Sequence, residues 1–324
     1  MDGMTTVESD QPAAASGPSA QAAPGAAEQA APGAAEAAAA EDAATPAEAA
    51  PEPGPGAIVS GIGVAVTLLA VVVLGFAGYL YFLSGVQEAR TQTGMYATLG
   101  GELAKGVAPL GSPAPGSPVA ILNIPAIGLH NEVVVEGTTP ENLTLGPGHL
   151  RDTAMPGQTG VSVLYGRRAT FGAPFARLPQ LLPGDQIDVT TGQKTATYVV
   201  KVVGDSKDRI LIDSVPNQLD LLTADSALMP AHYIEAEANL TSVPQQNPGG
   251  RPAVSTAETA LGNDPTSLIL TMAWGLALVV VSVAGTVAAA RWARWPAYLV
   301  TVPIAVAVLW NLYQSVAALL PNLY

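Results

Sequence analysis

Long uncharged apolar runs are the strongest feature of the hydrophobic pattern along this chain. Residues 57–84, 267–290 and 297–320 carry no charged side chain. A helix needs about 20 predominantly apolar residues to cross the hydrocarbon core of a bilayer. The pattern therefore predicts three transmembrane α-helices. Tyr79 and Tyr81 lie near the end of the first run, where aromatic side chains are enriched at membrane interfaces.

Short apolar runs without helical spacing fill residues 118–240 and predict a separate folded domain. Pro183-Gly184-Asp185 is typical of the turns that separate such runs. About eight short strands with brief connections favour a closed β-barrel, because closure removes exposed sheet edges. The predicted fold class is therefore mainly β, an eight-stranded β-barrel with three transmembrane helices. The predicted strands are residues 119–124, 132–135, 161–165, 186–190, 195–203, 209–212, 219–223 and 232–238.

Polar segments separate these regions. Residues 1–56 are rich in Ala, Pro and Glu and contain no Lys or Arg, a composition that predicts a disordered acidic tail. Residues 85–117 are interpreted as a helical stalk that ends in a Pro- and Gly-rich linker. Residues 241–266 are interpreted as a second linker, and residues 291–296 as the short loop between the last two helices.

The charges that flank the apolar runs predict a membrane topology. Arg291 and Arg294 lie in the short loop, and basic residues in short loops favour the cytoplasmic side. That placement puts the barrel outside the cell, in a multi-pass protein of the cell membrane. Arg90 and Lys105 follow the first helix and, taken alone, favour the opposite orientation. We base the predicted topology on the short loop with Arg291 and Arg294.

Composition removes several function classes. The net charge of −13 offers no basic surface for nucleic acid. The chain has no cysteine, which excludes disulfides, thiolate metal ligands and thiol nucleophiles. Its three histidines are His130, His149 and His232, whose spacing matches no metal-binding motif. We therefore predict neither a metal site nor a cofactor.

A series of short motifs within residues 118–198 gives this region a recognisable order. The motifs are Ile124-Pro125, Val135-Glu136-Gly137-Thr138, Gly146-Pro147-Gly148-His149, Met155-Pro156-Gly157-Gln158 and Leu182-Pro183-Gly184-Asp185. The series resembles the sortase family, the membrane-anchored cysteine transpeptidases of Gram-positive bacteria, and most of all its actinobacterial branch. The resemblance covers about the middle third of the chain and implies an eight-stranded barrel at the cell wall.

The resemblance also implies where catalytic groups should lie. Sortases use a cysteine nucleophile, a histidine that transfers protons and an arginine that stabilises the oxyanion. Arg167 occupies the position of the histidine, and Ala224 occupies that of the cysteine. The region before the final strand, residues 229–234, contains no arginine. All three positions therefore depart from the family pattern.

Other residues near these positions have more than one interpretation. Ser226 and His232 are a possible substitute nucleophile and base, although a turn serine and a solvated edge-strand histidine are the simpler interpretation. Arg167 and Arg168 are either surface arginines or binding residues that hold a carboxylate or phosphate in the former substrate groove. His130 and His149 are assigned structural roles.

Three functions remain open from the sequence. The first is a pseudoenzyme, in which the barrel binds an exported surface protein, an active sortase or cell-wall material without cleaving it. The second is a transpeptidase or hydrolase with a non-cysteine mechanism that uses Ser226 or an unaligned residue with a new base. The third is a structural subunit of a membrane complex, held together through the small residues of its helices.

Overall fold

A computed structural model describes residues 55–109, 111–206, 217–227, 229–292 and 294–324, and every structural statement below concerns these residues. The predicted disordered tail and the predicted strand at residues 209–212 lie outside them, apart from the last two tail residues, which begin the first helix.

Eight strands close into one barrel. They are β1 (Pro118–Ile124), β2 (Leu129–Glu136), β3 (Gly148–His149), β4 (Val161–Tyr165), β5 (Gln186–Thr191), β6 (Thr195–Asp205), β7 (Gln218–Ala224) and β8 (Tyr233–Leu240). Their order around the barrel is β1-β2-β3-β4-β7-β8-β6-β5. Neighbours are antiparallel except the pairs β2–β3 and β4–β7, which are parallel. The eight-stranded barrel is confirmed, and β3 is a strand that the pattern did not predict.

Alternating side chains fill the barrel interior. Successive residues of a strand point to opposite faces, so Leu122 and Ile124 of β1 are both fully buried in the main core. Leu219 and Leu221 of β7 join the same core, together with Tyr198 of β6. Asp220 and Leu222 of β7 are directed to the outer face, and that face carries the candidate site.

The helices are long and apolar. The first is continuous, with α1 (Pro55–Gly78), a π-helical turn (Tyr79–Leu83) and α2 (Ser84–Lys105). The other two are α3 (Ser267–Arg291) and α4 (Arg294–Ala317). Three helices are long and apolar enough to cross a membrane, over Val66–Lys105, Ser267–Arg291 and Arg294–Ala317. Within these helices, Tyr313 Oη donates a hydrogen bond to Val72 O at 2.8 Å, which joins α4 to α1.

The segment predicted to be a stalk packs on the barrel. Leu99 of α2 is fully buried in a cluster with Ile121 and Val133. Gln92 adds polar contacts, because its side chain accepts from Val133 N at 2.7 Å and donates to Val133 O at 3.0 Å. α2 is therefore a fixed part of the domain. Its sequence alone did not show this, because its buried face is narrow.

The segment predicted to be a second linker is also attached to the barrel. Glu258 is 3% exposed and caps a short helical turn through Ser255. Its backbone oxygen accepts a hydrogen bond from Thr138 Oγ1 at 2.7 Å. Arg251 reaches Glu136, with 3.6 Å between Nη1 and Oε1. Composition indicated a linker here, but these few polar contacts hold the segment against the barrel.

Candidate functional site

The carboxyl ends of β4 and β7 bring together the two positions that the family resemblance singled out. β4 and β7 are parallel neighbours, with Tyr165 opposite Leu222. Gly166 N donates to Leu222 O at 2.9 Å, and Thr223 Oγ1 donates to Gly166 O at 2.9 Å. Because both strands end at the same edge of the sheet, Arg167 and Ala224 follow these paired residues on adjacent strands.

Arg167 is buried rather than at the surface. Its side chain is 0% exposed. Nε donates to Leu143 O at 3.1 Å and Nη2 donates to Pro140 O at 2.7 Å. Nη1 donates to Thr170 Oγ1 at 3.2 Å and to Tyr324 O at 3.4 Å. The expectation of a surface arginine is therefore wrong, and most of its donors are already used inside the protein.

The charge of Arg167 also limits its chemistry. Burial lowers the pKa of Arg167 to about 9, and its electrostatic interaction with the Tyr79 hydroxyl opposes that shift. A guanidinium still keeps its proton near neutral pH, and the ring of Phe171 lies 4.8 Å from the guanidinium carbon. Arg167 therefore cannot accept a proton from a nucleophile. It acts here as a donor that positions backbone carbonyls.

Arg168 is only half-buried. Its backbone N–H donates to Leu323 O at 3.0 Å. Its Nη1 is buried and has no hydrogen-bond partner. Of the two predicted binding arginines, Arg168 is the one with a buried terminal nitrogen that has no hydrogen-bond partner.

Ala224 lies under an apolar cover. It is 0% exposed and belongs to a cluster with Leu143, Tyr165, Leu222 and Leu323. Its side chain is a methyl group, so it offers neither a nucleophile nor a hydrogen bond. The face where the resemblance implies a thiol is a packed apolar surface.

Ser226 and His232 lie in the connection between β7 and β8. Asp225 N donates to His232 O at 3.0 Å, which closes this connection. Ser226 Oγ accepts from Met229 N at 3.4 Å, the kind of local contact made by turn serines. Both side chains are half-buried. Their proposed role as nucleophile and base stays a prediction.

Residues after α4 also contact this site, although the sequence patterns did not predict that contact. We call Pro321–Tyr324 the tail segment. It forms a turn in which Tyr324 N donates to Pro321 O at 3.1 Å. Asn322 and Leu323 are both 0% exposed. The sequence signal was Pro321 beyond a long helix, which predicts the end of the helix but not where the following residues bind.

A second buried polar group lies beside the site, on the wall made by β2 and β3. Glu136 and His149 are both 0% exposed, with 2.9 Å between Oε2 and Nδ1. His149 Nε2 is 2.9 Å from Ala154 O. Glu136 therefore lies inside the wall. The structural role assigned to His149 consists of these two contacts, with Glu136 and with Ala154 O.

A cavity of about 480 Å³ lies between the barrel and the helices. Tyr79, Phe171 and Trp274 contribute apolar surface, and Asn142 and Gln314 contribute polar groups. Within the part of the chain that the structure describes, no group of three or more His, Cys, Asp or Glu residues has a geometry suited to a metal ion.

The comparisons with known proteins place the barrel in a family. A sortase domain model matches residues 122–231. Sortase D from Bacillus subtilis (strain 168) is 33% identical over 111 residues, which cover 34% of this chain and 54% of that protein. The chain thus spans about half the length of this curated relative.

Solved sortase structures match the same share of the chain. Sortase E from Streptomyces avermitilis is 34% identical, with 40% of this chain and 91% of that chain covered and a TM-score of 0.35. Sortase E1 from Streptomyces coelicolor, solved with a tripeptide in its active site, is 27% identical, with 40% and 91% covered and a TM-score of 0.36. The barrel of this chain therefore matches the sortase domain over residues 122–231.

Proposed function

We propose that this chain is a membrane-anchored sortase-family protein whose barrel binds a partner without cleaving it. One observation carries the proposal. The ends of β4 and β7 meet as a catalytic pair would require, yet they present a buried Arg167 that donates to groups inside the protein and a buried Ala224. Covalent catalysis needs a nucleophile with a base in hydrogen-bond reach, and these two side chains are neither.

The proposed setting is the surface of a Gram-positive cell of the actinobacterial type. The three apolar helices anchor the protein in the cell membrane, and the barrel lies on the extracellular side, against the cell wall. The partner is an exported surface protein or an active sortase. The loop with Arg291 and Arg294 supports this orientation, because short basic loops remain in the cytoplasm.

A cleavage screen tests the proposal. The full chain, reconstituted in lipid nanodiscs, is incubated with a peptide library that a cysteine sortase cleaves in a parallel reaction. We expect mass spectrometry to find no cleaved or transferred peptide. Product that disappears in Ser226→Ala would contradict the proposal and establish the serine mechanism. Product that survives Ser226→Ala would contradict it through another residue.

The orientation has its own test, because a chain without cysteine accepts a single reporter thiol. Leu182 in the β-barrel is 67% exposed and Trp292 in the short loop is 89% exposed. We expect a membrane-impermeant maleimide on intact cells to label Leu182→Cys and to leave Trp292→Cys unlabelled until the cells are opened. The reverse labelling would place the barrel in the cytoplasm.

A further inference from the structure

The tail segment lies across the outer face of β4 and β7, directly over the position that lacks a nucleophile. Leu323 packs with Ala224, Leu222 and Tyr165 in one apolar cluster. Tyr324 O accepts hydrogen bonds from Thr170 Oγ1 at 2.8 Å and from Arg167 Nη1 at 3.4 Å. The segment thus contacts Arg167 and Ala224, two of the three positions that depart from the family pattern.

Asn322 is held by its side-chain amide. Its Nδ2 donates to Thr138 O at 2.8 Å and to Thr259 O at 2.9 Å. Its backbone N–H donates to Gly262 O at 2.9 Å. The site therefore presents three carbonyl oxygens to one residue. Such a set of acceptors selects an amide, because a carboxylate in the same place would face two carbonyls without a hydrogen to donate.

The backbone of the next residue, Leu323, is also held by a hydrogen bond. Arg168 N donates to Leu323 O at 3.0 Å, and the Leu323 side chain is fully buried. Polar contacts to the main chain together with one apolar side-chain pocket are the usual means by which a protein binds a peptide segment. The contacts fit a peptide ligand and are supplied here by the chain itself.

The occupied face still has unused polar groups. Asn322 Oδ1 is buried without a hydrogen-bond partner, as is Arg168 Nη1. Each unsatisfied buried group costs free energy. The tail segment therefore binds this face less tightly than a segment with every buried polar group satisfied would.

We infer that the tail segment Pro321–Tyr324 is a tethered, reversible occupant of the proposed partner-binding face on β4 and β7. The inference rests on the proposed binding function of the barrel and adds its regulation. A partner peptide enters when the tail segment leaves. Because α4 ends at Ala317, shortly before the tail segment, movement of the membrane helices acts on the occupancy of this face.

A reporter thiol under the tail segment tests this occupancy. Ala224→Cys is made in the full chain, which has no other cysteine, and its reaction with a maleimide is followed in nanodiscs. Asn322→Asp, an isosteric change that removes the amide donors, is added in a second protein. We expect labelling at position 224 to accelerate about tenfold or more, as expected when a local opening becomes favourable.

Two controls make the result specific. Asn247→Asp makes the same substitution in an exposed loop and should leave labelling at position 224 unchanged. Ala236→Cys places the thiol in the main core, where Ala236 is 0% exposed, and should stay protected with and without Asn322→Asp.

The other outcomes would each overturn the inference. Labelling at position 224 that is rapid in the unaltered chain, or that does not respond to Asn322→Asp, means that the tail segment does not cover this face. Labelling that accelerates at positions 224 and 236 together means that the tail segment stabilises the whole domain rather than covering one face. None of these results depends on peptide cleavage, so failure here is distinct from failure of the proposed function.

Discussion

His149 and Glu136 form a fully buried pair in the barrel wall, with 2.9 Å between His149 Nδ1 and Glu136 Oε2. The other ring nitrogen faces Ala154 O at 2.9 Å. The imidazole thus bridges the Glu136 carboxylate on β2 and the Ala154 carbonyl beyond β3, and Thr153 Oγ1 lies 3.1 Å from Nε2.

Removal of this ring should destabilise the barrel. We expect His149→Ala to lower the free energy of unfolding by about 3–5 kcal/mol, because it leaves buried polar groups of Glu136 and Ala154 without their ring partner and opens a void. Thermal unfolding of the purified protein, followed by circular dichroism, measures the change. His130→Ala alters an exposed histidine and should have little effect. Equal melting temperatures for the two variants would refute a structural role for the pair.

Arg167 should matter for stability rather than for activity. Arg167→Ala leaves the buried carbonyls of Pro140 and Leu143 without donors and opens a void, so we expect a loss of about 3 kcal/mol or more. Arg168→Ala removes a half-buried side chain whose Nη1 has no partner, and should cost less than about 1 kcal/mol. Chemical denaturation of both variants tests the order. A larger loss for Arg168→Ala would show that the buried contacts of Arg167 are not important for folding.

The turn that carries Arg167 has little space. A Cβ added at Gly166 would overlap the ring of Phe175, a fully buried residue of the main core. Gly166→Ala should therefore lower stability by about 1–3 kcal/mol through overpacking. Gly204→Ala is the matched control, since nothing lies within 4 Å of its added Cβ. The melting temperatures of the two variants should separate, and a stable Gly166→Ala would mean that Phe175 moves freely.

Asp220 should make stability depend on pH. Burial raises the pKa of Asp220 to about 7 from 3.8. The hydrogen bond from Gln218 lowers it, and the charges of Glu235 and Glu237 raise it further. The folded state thus binds the proton more tightly than the unfolded state. The contribution of this proton to the free energy of unfolding is fully present below pH 3.8 and is lost as the pH rises through about 7.

The measurement is the free energy of unfolding between pH 5 and pH 8. The difference between the two pKa values of Asp220 corresponds to at most about 4 kcal/mol. Asp220→Asn removes the titration, so its stability should fall less over this range than that of the unaltered chain. Asp152→Asn, at an exposed position, should keep the original slope. A slope that Asp220→Asn leaves unchanged would assign the pH dependence to another group.

The sequence by itself determined the barrel class and the three apolar helices. Both follow from local patterns, because strands alternate and membrane spans are long uncharged runs. Two residues of β3 were missed, since Gly148 and His149 are too short a run to show alternation. The motifs around them still identified the family.

Only the tertiary structure decided what the site contains. Arg167 and Ala224 are separated along the chain and meet because β4 and β7 are parallel neighbours. The exposure of Arg167 depends on carbonyls of Pro140, Leu143 and Tyr324, which no local pattern links to it. The same holds for the tail segment, because its position depends on hydrogen-bond partners such as Thr259, more than 60 positions away. Local periodicity encodes which face of an element is apolar, whereas long-range contacts determine what that face meets.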